Sequence, residues 1–187
     1  MTKDPGLLYI ISSVAGGGKT TLINMLLKDF PELDYSISYT SRPKRAMETS
    51  DVNYHFVTRE RFEELIREDY FFEWAMVHDN YYGTPKVEIL ECLAQGKKVI
   101  LDIDVKGAKT VRSKVPNSLS FFILPPNEEV WIQRLKKRGT ETEETLNKRI
   151  ANGRKELLSV DDFDYKITND NLYDAYNRLT KIMHLDK

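Results

Sequence analysis

The sequence of 187 residues lacks what several large classes of protein need. Its single cysteine, Cys92, excludes an intramolecular disulfide, and no cluster of cysteine and histidine offers a zinc site. Lys and Arg number 28 against 29 Asp and Glu, so the chain has no basic excess of the kind that nucleic-acid-coating proteins carry. We therefore expect no nucleic-acid partner and a reducing compartment.

Long hydrophobic runs are also missing. The polar start Met1–Gly6 lacks the net basic start and the small-residue cleavage site of a signal peptide, and the apolar stretch Leu7–Ile11 is too short to span a bilayer. With 41% hydrophobic and 11% aromatic residues, the composition is typical of one globular domain. We expect a cytoplasmic protein with no membrane partner.

A glycine-rich segment follows the first apolar run. Leu7–Ser13 predicts a buried strand, and Thr20–Phe30 has the spacing of a helix that ends at Pro31. The segment between them matches the phosphate-loop pattern G-x-x-x-x-G-K-[ST] at Gly18, Lys19 and Thr20, with Ser13 in place of the first glycine. Lys19 would reach the β- and γ-phosphates and the Thr20 hydroxyl would bind Mg²⁺ directly. The alternative is a plain glycine turn.

Buried strands alternating with helices continue along the chain. Strands are predicted at Tyr35–Thr40, Tyr70–Val77, Asn80–Gly83, Val99–Ile103, Leu119–Leu124 and Tyr165–Thr168. Helices are predicted at Thr58–Asp69, capped by Thr58, and from Pro85, capped by Thr84, to just before Gly96. Further helices are predicted at Val105–Lys114, from the end of the strand Leu119–Leu124 through Arg138, at Thr145–Leu158 and at Leu172–Leu185. This order predicts an α/β fold with a parallel sheet flanked by helices, and an inserted lobe at about 35–82.

Polar residues in the predicted lobe suggest a nucleotide. The basic loop Arg42–Arg45, with Ser38 and Tyr54 nearby, could fix a phosphate, although a charge run is more often a solvated surface. Glu73 could accept both N–H donors of guanine, whereas its alternative is an ordinary surface position.

Acidic and basic residues also follow the later strands. Asp102 and Asp104 come at the end of a predicted strand, where Asp102 could order Mg²⁺ through water or one of the two could cap the next helix. The segment from Arg134 through Arg138 to Arg149 reads either as a mobile lid whose arginines neutralise a phosphoryl group or as an exposed helix pair.

Together these segments resemble the guanylate kinase family. The residues that carry the resemblance are Arg138-Gly139-Thr140-Glu141-Thr142-Glu143-Glu144, Glu73-Trp74-Ala75 and Asn80-Tyr81-Tyr82-Gly83, in the family's order and spacing. The likeness runs from Leu8 to Asn169-Asp170. It implies a P-loop NTPase-type fold with a monophosphate-binding lobe at about 35–83 and a lid at about 138–157, within one domain whose core is about 1–34, 84–137 and 158–187.

The resemblance also implies roles for individual residues. ATP would contact Ser13, Val14, Ala15, Gly16, Gly17, Gly18, Lys19, Thr20, Thr21, Arg138 and Asn169, the last of these near adenine. GMP would contact Ser38, Arg42, Arg45, Tyr54, Glu73, Tyr82, Thr84 and Asp104. The residues expected to act on the transferring phosphoryl group are Lys19, Arg42, Arg138 and Arg149, with Arg134 as a further lid candidate.

The implied activity is Mg²⁺- and ATP-dependent phosphorylation of GMP, and of dGMP, in purine nucleotide metabolism. Two alternatives come with it: a phosphopeptide-binding module of guanylate-kinase-like shape, and a P-loop kinase that acts on a phosphorylated sugar. The chain departs from the family's pattern at Ser13, which is expected to adopt the backbone conformation that glycine normally provides. Val14, Ala15, Lys44, Met47 and Lys106 are further departures.

Overall fold

The computed structural model describes residues 6–44, 48–52, 54–77, 79–137 and 143–185. Nine strands occur in these ranges: β1 (Leu7–Ser13), β2 (Asp34–Ser36), β3 (Tyr39–Thr40), β4 (His55–Phe56), β5 (Phe71–Val77), β6 (Asn80–Pro85), β7 (Lys98–Asp102), β8 (Ser118–Leu124) and β9 (Tyr165–Thr168). Seven α-helices accompany them in the same ranges: α1 (Lys19–Asp29), α2 (Arg59–Arg67), α3 (Val87–Ala94), α4 (Val105–Lys114), α5 (Glu128–Lys136), α6 (Glu143–Leu157) and α7 (Leu172–Ile182).

A first compact unit contains residues 6–8 and Asp34–Ser118. Its strands β2 and β7 pair in parallel, with Tyr35 opposite Ile100, and α3 packs against both. Its second sheet has the order β4-β3-β6-β5, in which β6 runs antiparallel to both neighbours. An aromatic core supports this sheet, since Phe62 of α2 stacks on Phe71 and on Tyr81 at ring distances of 4.6 and 5.1 Å.

A second compact unit contains Tyr9–Leu33 and residues 119–185. Here β1, β8 and β9 lie side by side in that order, and β8 pairs with β9 in parallel. Helix α1 packs on α7, and α5 packs on α6. Strands β1 and β8 are largely apolar and buried, as the sequence pattern predicts for a sheet covered on both faces, whereas β9 buries only Ile167.

One predicted strand is in fact two. Tyr35–Thr40 was expected to form a single strand, but β2 pairs with β7 whereas β3 pairs with β6 and β4. The prediction is wrong because alternation of side chains reports which face is buried, and it carries no information on a change of hydrogen-bond partner. This change of partner places Ser38 at the junction of two sheets.

The predicted helix start at Pro85 is also wrong. Pro85 is the last residue of β6, opposite Phe71, and Thr84 is paired within the sheet with Glu73. Helix α3 begins two residues later at Val87, after Lys86, whose N–H donates to the carbonyl oxygen of Tyr70 at 2.8 Å. A proline at the end of a strand removes no needed donor, so the same residue suits either element.

The remaining predicted elements are confirmed to within a few residues. β1, α4 and β9 have the predicted bounds, and Thr58 caps α2 by accepting a hydrogen bond from the N–H of Arg61. The last helix ends at Ile182 instead of Leu185, because His184 adopts a left-handed φ of 48° that terminates it. Among the described residues, no helix is long and apolar enough to cross a membrane.

Candidate active site

The glycine loop lies in the second unit, between β1 and α1. β1 ends at Ser13, and the loop closes by a hydrogen bond of 3.0 Å from the N–H of Gly17 to the carbonyl oxygen of Val14. Gly16 and Gly18 have φ values of 84° and 97°, a region that residues with a Cβ avoid. The glycines therefore permit a tight turn whose peptide groups can approach a ligand closely.

Helix α1 begins at this loop with its N-terminal N–H groups uncovered by a side-chain cap. Gly18 is the N-cap residue, and the first turn contains no acidic residue. Lys19 is half-buried, whereas Thr20 and Thr21 are exposed. A helix N-terminus of this kind favours an anion, and Lys19 adds a full positive charge.

Ser13 does not take up the conformation expected of it. Its backbone belongs to strand β1, and the left-handed φ angles of the loop occur at Gly16 and Gly18 instead. The expectation is wrong because the first position of the pattern precedes the turn. The Ser13 hydroxyl donates to the carbonyl oxygen of Val14 at 2.8 Å, and a methyl group on Gly17 would overlap it.

Helix α5 and Asn169 hold the loop from outside. The indole N–H of Trp131 donates to the carbonyl oxygen of Ala15 at 2.7 Å, and the Asn169 side-chain amide donates to that of Gly17 at 2.9 Å. Arg134 donates in turn to the carbonyl oxygen of Asn169 at 3.1 Å. An open cavity of about 320 Å³ beside the loop is lined by residues that include Gly18, Thr21, Arg134, Asn169 and Leu172.

The lid arginines are only partly described. Arg138 and the segment up to Thr142 lie outside the described residues. Arg149 is half-buried on α6, in the same unit as the glycine loop. Four residues further along this helix, Gly153 packs against the ring of Trp131.

The first unit carries the side chains that were predicted to bind the phosphate of the acceptor nucleotide. The Arg42 guanidinium makes two hydrogen bonds of 2.8 Å to the two carboxylate oxygens of Glu48, and it lies over the rings of Tyr54 and Phe56. Hydrogen bonding to Glu48 raises the pKa of Arg42 above its ordinary value, with a smaller contribution from the Tyr82 hydroxyl. Arg42, Tyr54 and Tyr82 are therefore brought together, whereas Arg45 lies outside the described residues.

Glu48 is a site residue that the sequence reasoning missed. Its carboxylate orients a guanidinium that would otherwise sample many rotamers, and both side chains of the pair are largely shielded from solvent. The signal was present as one acidic residue in a basic loop, six positions after Arg42. Ser38 is half-buried in the same region, where its carbonyl oxygen accepts from the N–H of His55 at 2.9 Å.

Asp102 lies at the end of β7, on the side of Tyr35 and Tyr54. Burial raises the pKa of both tyrosines, and the negative charge of Asp102 adds to the effect on each of them. No group of three or more acidic, histidine or cysteine side chains in the described ranges could hold a metal by itself. A metal bound here would have to take most of its ligands from a substrate or from water.

The predicted base-reading residues form one cluster. The Thr84 hydroxyl donates to Oε1 of Glu73 at 2.5 Å, across the β5–β6 pair and next to a register shift between Phe71 and Glu73. Asp104 caps α4 by accepting from the N–H of Gly107 at 2.8 Å, and the carboxylate of Glu73 packs against Gly107. Burial, together with the charge of Asp104, raises the pKa of Glu73.

Comparisons with known proteins identify the family. The model of the guanylate kinase family matches residues 6–185. The guanylate kinase of Carboxydothermus hydrogenoformans is 44% identical over 182 residues, which are 97% of this chain and 89% of that protein. That of Rickettsia bellii is 42% identical over 98% of this chain and 96% of its own.

A solved structure agrees with these relatives. The crystal structure of guanylate kinase from Anaplasma phagocytophilum superposes with a TM-score of 0.78 at 27% identity, over 98% of this chain and 87% of that one. The predicted α/β fold with a parallel sheet flanked by helices is thereby confirmed. The chain belongs to the guanylate kinase family.

Proposed function

We propose that this chain transfers the γ-phosphoryl group of ATP to the phosphate of GMP, and with it dGMP, to form ADP and GDP. The observation that carries the choice of acceptor is the cluster of Glu73, Thr84 and Asp104. The half-buried carboxylate of Glu73, fixed by one hydroxyl, can accept the N1–H and N2–H donors of guanine. Adenine presents an acceptor in place of the N1–H, so its binding would leave buried polar groups unpaired.

The donor binds the second unit in this proposal. The loop at residues 13–21 and the Lys19 ammonium bind the ATP phosphates, since the loop offers an uncapped helix N-terminus and no acidic residue in the first turn. The adenosine end occupies the cavity beside Thr21, Arg134 and Asn169. Arg138 and Arg149 supply positive charge from the lid at 138–157.

GMP, the acceptor, binds the first unit in this proposal, within the lobe at about 35–83. The phosphate of GMP contacts Ser38, Arg42, Arg45, Tyr54 and Tyr82. Arg42 is suited to this role because Glu48 already holds its guanidinium in one orientation. The guanine base contacts the cluster of Glu73, Thr84 and Asp104.

The transfer needs no general base. A phosphomonoester has a second pKa near ~6, so the attacking oxygen of GMP already carries negative charge at neutral pH. The barrier lies in bringing two polyanions together and in stabilising charge on the transferring group. Lys19, Arg42, Arg138 and Arg149 provide that stabilisation, and one such arginine can contribute about 10³–10⁵ in rate.

Nucleotide kinases of this type need a divalent cation, and we propose Mg²⁺. The exposed hydroxyl of Thr20 in the first turn of α1 fits as a direct ligand, because Mg²⁺ takes few protein ligands and several oxygens from phosphates and water. Asp102 would act on it through water. When bound, the cation neutralises charge on the β- and γ-phosphates.

A coupled assay of ADP release tests the proposal. The protein is supplied with ATP and Mg²⁺, and with GMP, dGMP, AMP or no acceptor, and the Lys19→Ala variant serves as the negative control. The proposal predicts rapid release with GMP and dGMP alone. Equal rates with AMP, or release that does not depend on any acceptor, would contradict it.

A further inference from the structure

Trp131 connects the phosphate loop with the helix that carries Arg149. Its side chain is fully buried, and its indole N–H donates to the carbonyl oxygen of Ala15 at 2.7 Å. The adjoining edge of the six-membered ring, at Cζ2 and Cη2, packs against Gly153 of α6 so closely that any Cβ at this position would overlap it. One side chain thus contacts both elements.

The hydrogen bond to Ala15 determines where the next N–H points. In a trans peptide the carbonyl oxygen and the following N–H point in opposite directions, and none of the described peptide bonds is cis. Because Trp131 binds the Ala15 oxygen, the N–H of Gly16 faces away from the indole. Neither Gly16 nor Gly18 has a Cβ to hinder rotation of the loop, so the orientation depends on partners outside it.

Asn169 acts in the same way on a second peptide. Its side-chain amide donates to the carbonyl oxygen of Gly17 at 2.9 Å, so the N–H of Gly18 also points away from its partner. Asn169 is buried, and Arg134, one turn beyond Trp131 on α5, donates to its carbonyl oxygen. Two peptide groups of the loop, Ala15–Gly16 and Gly17–Gly18, are therefore oriented by side-chain donors. One donor lies on α5, and the other belongs to a residue that Arg134 of α5 contacts.

We infer that Trp131 is a positioning residue for phosphoryl transfer, which aims the N–H of Gly16 at the ATP phosphates and fixes the docking of α6. This inference rests on the proposed function, since it assigns Trp131 to the donor side of that reaction. Gly153 lies one helical turn from Arg149 on α6, so the contact of the ring with Gly153 also fixes the position of the helix that bears this arginine. Trp131 itself does not touch the substrate.

The first test replaces Trp131 with phenylalanine, which keeps an aromatic ring and removes the N–H donor. The carbonyl oxygen of Ala15 loses its partner, and we expect KM for ATP to rise about 5- to 10-fold. The Kd for GMP, measured by calorimetry, stays unchanged, which also shows that the variant is folded. Trp74→Phe, at an exposed tryptophan of β5, is the matched control and should leave KM for ATP unchanged.

The pattern of ligands separates positioning from general destabilisation. Binding of ADP should weaken by a similar factor in Trp131→Phe, whereas binding of adenosine should not, because only ADP engages the loop N–H groups. An unchanged affinity for ADP, or an equal loss for ADP, adenosine and GMP, would overturn the inference. If the wild-type protein fails to phosphorylate GMP, the proposed function fails, but the ADP and adenosine titrations still decide the role of Trp131.

The contact with α6 has its own test. Gly153→Ala places a methyl group against the indole, and we expect kcat to fall about 3- to 10-fold as α6 is displaced. Asn152→Ala, at an exposed neighbour on the same helix, is the control. Since alanine favours helix more than glycine does, wild-type kinetics in Gly153→Ala would contradict the proposed contact.

Discussion

In the proposed function, the two units bind phosphate by different means. In the second unit the loop after β1 offers backbone N–H groups at the start of α1, and Lys19 is the charged side chain that stands among them. In the first unit the recognition groups are side chains, of which Arg42 is oriented by Glu48, and Glu73 by Thr84. A backbone site depends on the conformation of the loop, whereas a side-chain site depends on the identity of each residue.

This contrast has a physical reason. The donor's phosphates are common to all nucleoside triphosphates, and peptide N–H groups bind them without reading a base. The acceptor has to be distinguished from other monophosphates, which requires donors and acceptors matched to one base edge. We therefore expect substitutions in the loop to affect ATP through shape, and substitutions in the first unit to affect GMP through lost hydrogen bonds.

The largest effect is expected at Lys19, the first residue of α1. Lys19→Ala removes the positive charge from the β- and γ-phosphates, and kcat should fall about 10³-fold while Kd for GMP stays unchanged. Steady-state kinetics and calorimetry measure the two quantities. Lys28→Ala, exposed in the last turn of the same helix, is the control. A normal kcat in Lys19→Ala would remove Lys19 from the mechanism.

The next effect concerns the base. Glu73→Gln replaces one acceptor oxygen with a donor, so the variant should lose about 10²-fold in kcat/KM for GMP and much of its preference for GMP over AMP. Glu64→Gln, on the exposed side of α2, should keep both values. If the ratio of kcat/KM for GMP to kcat/KM for AMP in Glu73→Gln equals that of the wild type, other residues recognise the base.

Loop shape is tested by the pair Ser13 and Gly17. A methyl group in Gly17→Ala overlaps the Ser13 hydroxyl, and we expect KM for ATP to rise 10-fold or more, following about 1–3 kcal/mol of overpacking. The double variant Ser13→Gly, Gly17→Ala should recover part of the loss, because the overlapping hydroxyl is gone. No recovery would mean that the contacts of position 17 with the carbonyl oxygens of Ile123 and Val14 dominate instead.

A smaller effect is expected from the residue that orients Arg42. Glu48→Gln keeps the shape of the side chain but weakens both hydrogen bonds to the guanidinium, and KM for GMP should rise about 3- to 10-fold. KM for ATP serves as the internal control and should not change. An equal rise in both constants would indicate a general loss of structure.

The smallest effect is the pH dependence of stability. Since burial raises the pKa of Glu73 above its ordinary value of 4.5, the folded state holds this proton more tightly than the unfolded chain does. Stability therefore declines as pH rises from the unfolded value through the raised folded one. Glu73→Gln removes this decline, so its Tm relative to wild type should increase from about pH 4 to about pH 7. A constant difference across this range would contradict the raised pKa.

The sequence was informative where periodicity or local spacing determines structure. The strand Leu7–Ser13, the helix Val105–Lys114 and the cap at Thr58 follow from burial pattern and capping chemistry, which are local properties. Gly18, Lys19 and Thr20 could be assigned to the start of a helix for the same reason.

Long-range pairing could not be predicted in this way. The division of Tyr35–Thr40 between two sheets and the place of Pro85 in β6 depend on partners far along the chain. The pairing of Glu48 with Arg42 and the two carbonyl contacts of Trp131 and Asn169 are of the same kind, since each depends on side-chain geometry that no residue pattern encodes.

The central claim is phosphoryl transfer from ATP to the phosphate of GMP. The most direct measurement follows ATP labelled in its γ-phosphate and separates the products by chromatography. The label should appear in GDP in an amount equal to the ADP formed, AMP should take up almost none, and Lys19→Ala should abolish the transfer. Label released as inorganic phosphate, with no labelled GDP, would contradict it.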